Sequence, residues 1–457
     1  MEFIKLAQSY QEEYVKKLFP LLEVPSVYQE NELFAYGKPI DQALNLMLEM
    51  GEKDGFSSKN IEGHAGHIEF GEGKEILGIL GHLDVVPPGD GWSTNPFQPV
   101  VEGGKIYARG AQDDKGPVMA AYIAMKLLKD EGFVPKKRVR LILGTDEEQD
   151  WKGIHYYFTK EEMPSFGFTP DASFPVIHAE KGLLDAYITC SIPDAESNSL
   201  LSFSSGNRLN MVPDTAIAEI RVDEQIENKC KDYLQRHDLK GTIVKRNENY
   251  SITFIGKTAH GSTPEKGNNA ALHLLKFLKE TKLNSVHTDI IDCIINHLSS
   301  SNGKELGCNF FDRISGALTC NTGTVDWQIG EECRIGLNIR YPVTVQAEVI
   351  LNRLQLFSDK LNGKLKVHDH MKALHIEKDH PDVQTLLKIY NQQADDSAVP
   401  QSIGGATYAR ALQTGVAYGA LFKDSPDTAH QADEHIKLSD MIKAVAIYAE
   451  AIYQLSK

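Results

Sequence analysis

The feature that most limits what this chain can fold into is an apolar run, EILGIL at 75–80, that stops at GHLDVVPPGDGW. The run reads as a strand buried in a sheet covered on both faces. Two prolines and two glycines then forbid further regular structure. At that junction stand His82 and Asp84, two residues apart, so on an extended chain both side chains leave from the same side.

The surrounding pattern alternates helix and strand. A charged amphipathic helix opens the chain (MEFIKLAQSYQEEYVKKLF), and helices are expected over 40–51 and 115–130, the latter with Gly132 just past its end. Strands are expected over 76–81, 105–108 and 138–143. This is an α/β signature, a mostly parallel central sheet flanked by helices, in which function gathers in loops beyond the carboxyl ends of strands. From residue 184 to 375 the chain is richer in Thr, Ser and Asn. It shows β-like runs at 216–222, 250–255 and 333–341 and a helix at 269–281. The α/β character returns with a helix at 382–394, a strand-like 415–421 and a long helix over 438–454. We therefore expect a catalytic domain made of 1–183 and 376–457, with an α+β lid domain, 184–375, inserted. A chain of 457 residues is long for a single core, which agrees with two domains.

Net charge of −15 argues against nucleic acid or an anionic membrane as partner. No stretch approaches the roughly 18 unbroken apolar residues of a spanning helix. The N-terminus lacks the basic and apolar regions of a signal peptide. Six cysteines without CxxC spacing read as reduced thiols, so a cytoplasmic location is expected.

Five loops carry imidazoles or carboxylates: His82 with Asp84; Asp113 in ARGAQDDKGP; Glu147 and Glu148 in GTDEEQD; Asp171 in FTPDASFP; His430 in DTAHQADE. Each has an ordinary reading. Asp113 or Asp114 could cap the following helix, the glutamates could be solvated, Asp171 could be a turn residue, and His430 a satisfied polar group. Together, at the strand–loop junctions of one sheet, they form the donor set that a pair of divalent ions needs. Mixed imidazole and carboxylate suits Zn²⁺ first, with Mn²⁺ or Co²⁺ as alternatives. Asp84 is then expected to accept from the second ring nitrogen of His82 and fix its tautomer.

The chain resembles the M20 family of metallopeptidases, in particular bacterial dipeptidases of the PepV/Sapep type, over nearly its whole length. The motifs carrying the resemblance are GHLDVVPPGDGW, ARGAQDDKGP, LGTDEEQDW, PDASFP, GKTAHG, NIRYP and IGGATYAR. The resemblance implies His82, Asp113, Glu148, Asp171 and His430 as ligands of two divalent ions, with Asp113 bridging and its peptide bond to Asp114 cis. It implies Glu147 as the general base that takes a proton from water and returns it to the leaving amine. It also implies that His260 in TFIGKTAHGSTP and Asn210 in NRLNMVP stabilise the developing oxyanion from the lid.

Arg340 in LNIRYP offers a bidentate fork for a substrate carboxylate, although a surface arginine at a strand edge is as good a reading of the residue alone. Gly404 and Gly405, before a helix-like ATYARAL, could present backbone N–H groups to the same carboxylate. The dipeptidase pattern has a third glycine where this chain has Ala406.

The expected activity is hydrolysis of dipeptides with a free N-terminus by a monomer. The nearest alternative is an N-acyl amino acid deacylase of the same family, disfavoured by the insert of about 190 residues. A non-catalytic peptide-binding relative would have no use for Glu147. A phosphoesterase would need more cations than Lys115 and Lys181 provide.

Overall fold

A computed structural model describes all residues except 32, 193–198 and 223–224. The chain divides into two compact units, one of residues 1–179, 375–402 and 406–457, the other of 180–374 with 403–405.

The first unit is built on a sheet that runs Ser57–Ile61, Ala65–Phe70, Arg138–Gly144, Ile76–His82, Phe166–Thr169, Gly415–Ala417, Ile177–Glu180. The middle of this order is parallel, Ile76–His82 lying between Arg138–Gly144 and Phe166–Thr169, which in turn pairs with Gly415–Ala417. Toward the edges the pairing is antiparallel. All residues of Ile76–His82 are buried, as a strand covered on both faces requires. The covering helices include Lys115–Asp130 and Leu438–Ser456, which pack on one another. Lys115–Asp130 is buried from Val118 to Met125 without a break, so its apolar composition reflects a helix enclosed all round.

The second unit carries an eight-stranded antiparallel sheet, with Gly182–Ser191, Glu332–Tyr341 and Thr319–Gln328 side by side. Its core includes Leu184, Phe203, Ile252, Leu274, Trp327 and Leu337, closed by helices Glu227–Arg236, Ala270–Lys279, Ser285–Leu298 and Ala347–Lys360. Asn269 caps Ala270–Lys279, its side chain accepting from the Leu272 amide at 3.2 Å.

Two expected elements are divided. The opening helix is two, Phe3–Ser9 and Gln11–Leu22, with Tyr10 outside helical geometry between them. The strand-like 415–421 becomes Gly415–Ala417 and Ala420–Leu421, separated by Gly419 at φ +80 and a cis Gly419–Ala420 peptide. Apolar periodicity cannot register such a break, because the buried residues on either side look alike.

Candidate metal centre

Three neighbouring parallel strands end at one place. Ile76–His82 delivers His82, Arg138–Gly144 runs into Glu147 and Glu148, and Phe166–Thr169 into Asp171. Parallel register puts His82 opposite Gly144, so these groups converge at the carboxyl edge of the sheet. Two glycines make the approach possible. A Cβ on Gly81 would stand 2.5 Å from Asp114 Oδ2, and one on Gly144 would stand 2.4 Å from the Tyr408 ring.

Asp113 lies in the turn before Lys115–Asp130, with a cis bond to Asp114. Its Oδ1 is 3.0 Å from His82 Nε2, and its Oδ2 is 2.9 Å from His430 Nε2. Asp171 Oδ2 lies 3.9 Å from His82 Nε2, and Glu148 Oε1 lies 2.8 Å from His430 Nε2. The donor atoms thus form two groups sharing Asp113: His82, Asp113 and Asp171, and Asp113, Glu148 and His430. Glu147 falls within the same reach of His82 and Glu148. Donors held about 2.0–2.2 Å from one ion lie roughly 3 Å from each other, so both groups fit a divalent ion.

Burial and mutual repulsion govern the electrostatics of these carboxylates. Burial pushes the Asp171 carboxyl well up, with Asp113 and Asp114 adding to it. Burial likewise raises Glu147 well above the usual range, and Glu148 and Asp113 reinforce this against the attraction of His82. Hydrogen bonds to Asp113 and Glu148 raise His430 to about 10. At Asp113 burial acts upward, but hydrogen bonds with His430 and His82 outweigh it and hold the carboxyl low. Clustered carboxylates that resist ionising together are what a bound cation relieves.

Asp84 meets His82 through both its main chain and its side chain. His82 Nδ1 makes its close contact, 3.0 Å, with the Asp84 main-chain carbonyl, and the nearer carboxylate oxygen stands at 3.5 Å. The carboxylate accepts the amides of Glu147, at 3.2 Å, and Glu148, at 3.0 Å. The carbonyl is thus the nearer acceptor for the His82 ring, and the carboxylate, standing beside the same nitrogen, also anchors the glutamate turn. An i,i+2 spacing cannot separate these two roles.

Two further acids position these turns, Glu434, which has no place in the sequence reading, and Asp114, expected there only as a helix cap. Glu434, fully buried, accepts the amides of Gly110, Gln112 and Asp113 and pairs with the buried Arg109 guanidinium at 2.6 Å. Asp114 stands at the N-cap of Lys115–Asp130 without capping it; its Oδ2 accepts the His82 amide at 3.2 Å.

In the second unit, Arg340 is buried, 3% exposed, and is no surface arginine. Its Nε donates to Asn338 Oδ1, its Nη1 to the Gly404 carbonyl, and its Nη2 reaches His260 Nε2 at 3.4 Å. Gly404 thus meets the guanidinium through its C=O, not through an N–H facing a carboxylate. The expected helix after it is a short 3₁₀ turn, Tyr408–Ala411, in the first unit. Ala406 is not among the positive-φ residues, so the position does not call for glycine. Asn210 is held beside His260: Asn321 Nδ2 donates to the carbonyls of Leu209 and Met211 at 2.7 and 2.8 Å, and Met211 bridges His260. Lys115 Nζ donates to the Leu21 and Val24 carbonyls, and Lys181 Nζ to that of Ala317, so neither is set out as a phosphate ligand.

A carboxylate presented to two imidazole-bearing groups at the edge of an α/β sheet is a donor set that suits divalent metal ions. The chain belongs to peptidase family M20/M25/M40, whose sequence profile matches residues 78–454. It is 45% identical over 430 residues to YtjP of Bacillus subtilis strain 168, provisionally named a dipeptidase, covering 92% of each chain. A similarly named Staphylococcus epidermidis protein is 41% identical, covering 98% of this chain and 97% of its own. The fold is similar to human carnosine dipeptidase 1, with TM-score 0.56, 13% identity and coverage of 100% and 99%. Divalent metal ions are the cofactor class that this family and donor set imply. No helix among the described residues is long and apolar enough to cross a membrane.

Proposed function

We propose that the chain is a monomeric, cytoplasmic dipeptidase, cleaving dipeptides with a free N-terminus by means of two divalent ions, Zn²⁺ foremost and Mn²⁺ or Co²⁺ as alternatives. The observation that carries this reading is Asp113, with one oxygen 3.0 Å from His82 and the other 2.9 Å from His430. His82, Asp113 and Asp171 would hold one ion, and Asp113, Glu148 and His430 the other. When bound, such ions supply Lewis acidity and acidify water.

The remaining steps fall to the chain itself. Glu147 takes the proton of the attacking water and delivers it to the departing amine, its place within reach of His82 and Glu148 setting it beside the ion-holding groups. Asp84 keeps Glu147 and Glu148 on their separate tasks by fixing both amides. His260 and Asn210 stabilise the oxyanion. Arg340 takes the terminal carboxylate, with the chain at Gly404 and Gly405 beside it. The full-length similarity to proteins named dipeptidases supports this substrate class over N-acyl amino acids.

Protein loaded in turn with Zn²⁺, Mn²⁺ and Co²⁺ should cleave dipeptides in preference to tripeptides and N-acetyl amino acids. A preference for N-acetyl amino acids would replace this reading with a deacylase.

A further inference from the structure

His260 lies between two sets of donors. On one side Arg340 Nη2, which can only donate, stands 3.4 Å from Nε2. On the other, Nδ1 is 2.7 Å from Ser262 Oγ and 3.4 Å from the Ser262 amide. A neutral imidazole has one N–H, so it cannot satisfy everything around it. With the proton on Nδ1, the ring donates to the serine hydroxyl and accepts from Arg340, but opposes the Ser262 amide. With the proton on Nε2, the hydroxyl turns to donate and the Ser262 amide is satisfied, but the ring N–H faces the guanidinium. The two tautomers differ by one conflicting donor each.

Arg340 is held for this contact. Asp185 Oδ1 accepts from Asn338 Nδ2 at 2.6 Å, which turns the amide oxygen of Asn338 toward Arg340 Nε. The Gly404 carbonyl takes Nη1. Partial burial and the Arg340 charge both lower the pKa of His260, so the ring is neutral near pH 7.

We propose that His260 is a tautomer switch, with Ser262 as its hydroxyl pivot and Arg340 as its trigger. With Arg340 on Nε2 the ring carries its proton on Nδ1 and cannot donate to an oxyanion. When a carboxylate takes the guanidinium, the Nδ1 proton passes to solvent and Nε2 gains one from solvent. The ring stays neutral, and Nε2–H becomes a donor. Oxyanion stabilisation is thereby made conditional on a substrate carboxylate, and Ser262 is a positioning residue for the reaction. This rests on the dipeptidase reading for its substrate, but not for its readout.

Side-chain ¹⁵N NMR of histidine-labelled, metal-loaded protein tests it. The ligand-free protein should show His260 as the Nδ1–H tautomer. A phosphinic pseudo-dipeptide with a free terminal carboxylate should convert it to Nε2–H, and the corresponding terminal amide should not. Arg340→Ala should give Nε2–H without ligand. In turnover, Ser262→Ala should lower kcat by about tenfold or more with little change in KM, and Ser262→Thr, which retains the hydroxyl, should restore it. An Nε2–H ring in the ligand-free parent, or an Arg340→Ala protein with an unchanged tautomer, overturns the switch. Conversion by the acid ligand in a protein that cleaves no dipeptide supports the switch and overturns only the proposed substrate.

Discussion

The Glu434 carboxylate accepts the backbone N–H of Asp113 at 3.1 Å, so the residue shared by both candidate metal-binding groups is held through its main chain by a buried acid. The same carboxylate holds Gly110 and Gln112 and pairs with Arg109, which fixes the whole turn before Lys115–Asp130. Groups that orient a ligand in this way are typically worth ten- to a hundredfold in metal affinity. Glu434→Gln should weaken metal binding by that factor, measured by competition with a chelator. It should also destabilise the fold by about 3 kcal/mol, because it leaves the Arg109 charge buried without its partner. Unchanged metal affinity would remove Glu434 from the site's support.

Glu147 and Glu148 are neighbours with different surroundings. Glu148 Oε1 contacts His430, whereas Glu147 is placed near His82. Glu147→Gln should abolish turnover and keep metal content near that of the parent, while Glu148→Gln should lose metal. Equal metal loss in the two variants, measured by elemental analysis, would reverse the assignment.

Removing the Arg340 fork should cost on the order of 2–4 kcal/mol in transition-state binding, roughly thirty- to a thousandfold in kcat/KM for dipeptides. On dipeptide amides, which lack the charge, Arg340→Ala should lose nothing and, with His260 Nε2 freed to donate, should gain activity. Comparable losses for acid and amide would place the guanidinium away from the substrate's terminus.

His67 is buried in the first unit, its Nδ1 2.9 Å from the Tyr157 hydroxyl. Burial, with the Arg140 charge adding to it, lowers its pKa from 6.5 to about 4. The unfolded chain therefore binds more protons between these values, and stability falls as pH drops from 6.5 toward 4. The contribution is full above 6.5 and amounts to roughly 3 kcal/mol. Urea unfolding should show that slope, and His67→Gln should flatten it. A parent whose stability is level across this window would contradict the assignment.

Chelation should inactivate the enzyme and divalent ions should restore activity, because the donor groups stand at the end of strands paired through their own backbones. Circular dichroism of the chelated protein should retain its secondary structure. Loss of the fold together with the metal would mean that the ions organise the sheet.

The sequence by itself determined which residues could carry the chemistry. An apolar strand ending in His-x-Asp, followed by Asp, Glu-Glu, Asp and His at later loops, is a pattern local enough to read from the chain, because strand burial and loop punctuation are properties of short segments. The long helices were legible for the same reason. Tertiary structure alone decided which atoms meet. It set the carbonyl of Asp84, and not its carboxylate, closest to His82, because the two differ only in backbone direction. Across 321 positions of sequence, from Asp113 to Glu434, it joined a carboxylate to a backbone amide, a contact with no periodicity to announce it. It also buried Arg340 against Asn338, Gly404 and His260, where strand alternation alone could have turned the guanidinium to solvent. Such contacts are fixed by the closure of the chain upon itself, and a one-dimensional pattern does not carry that information.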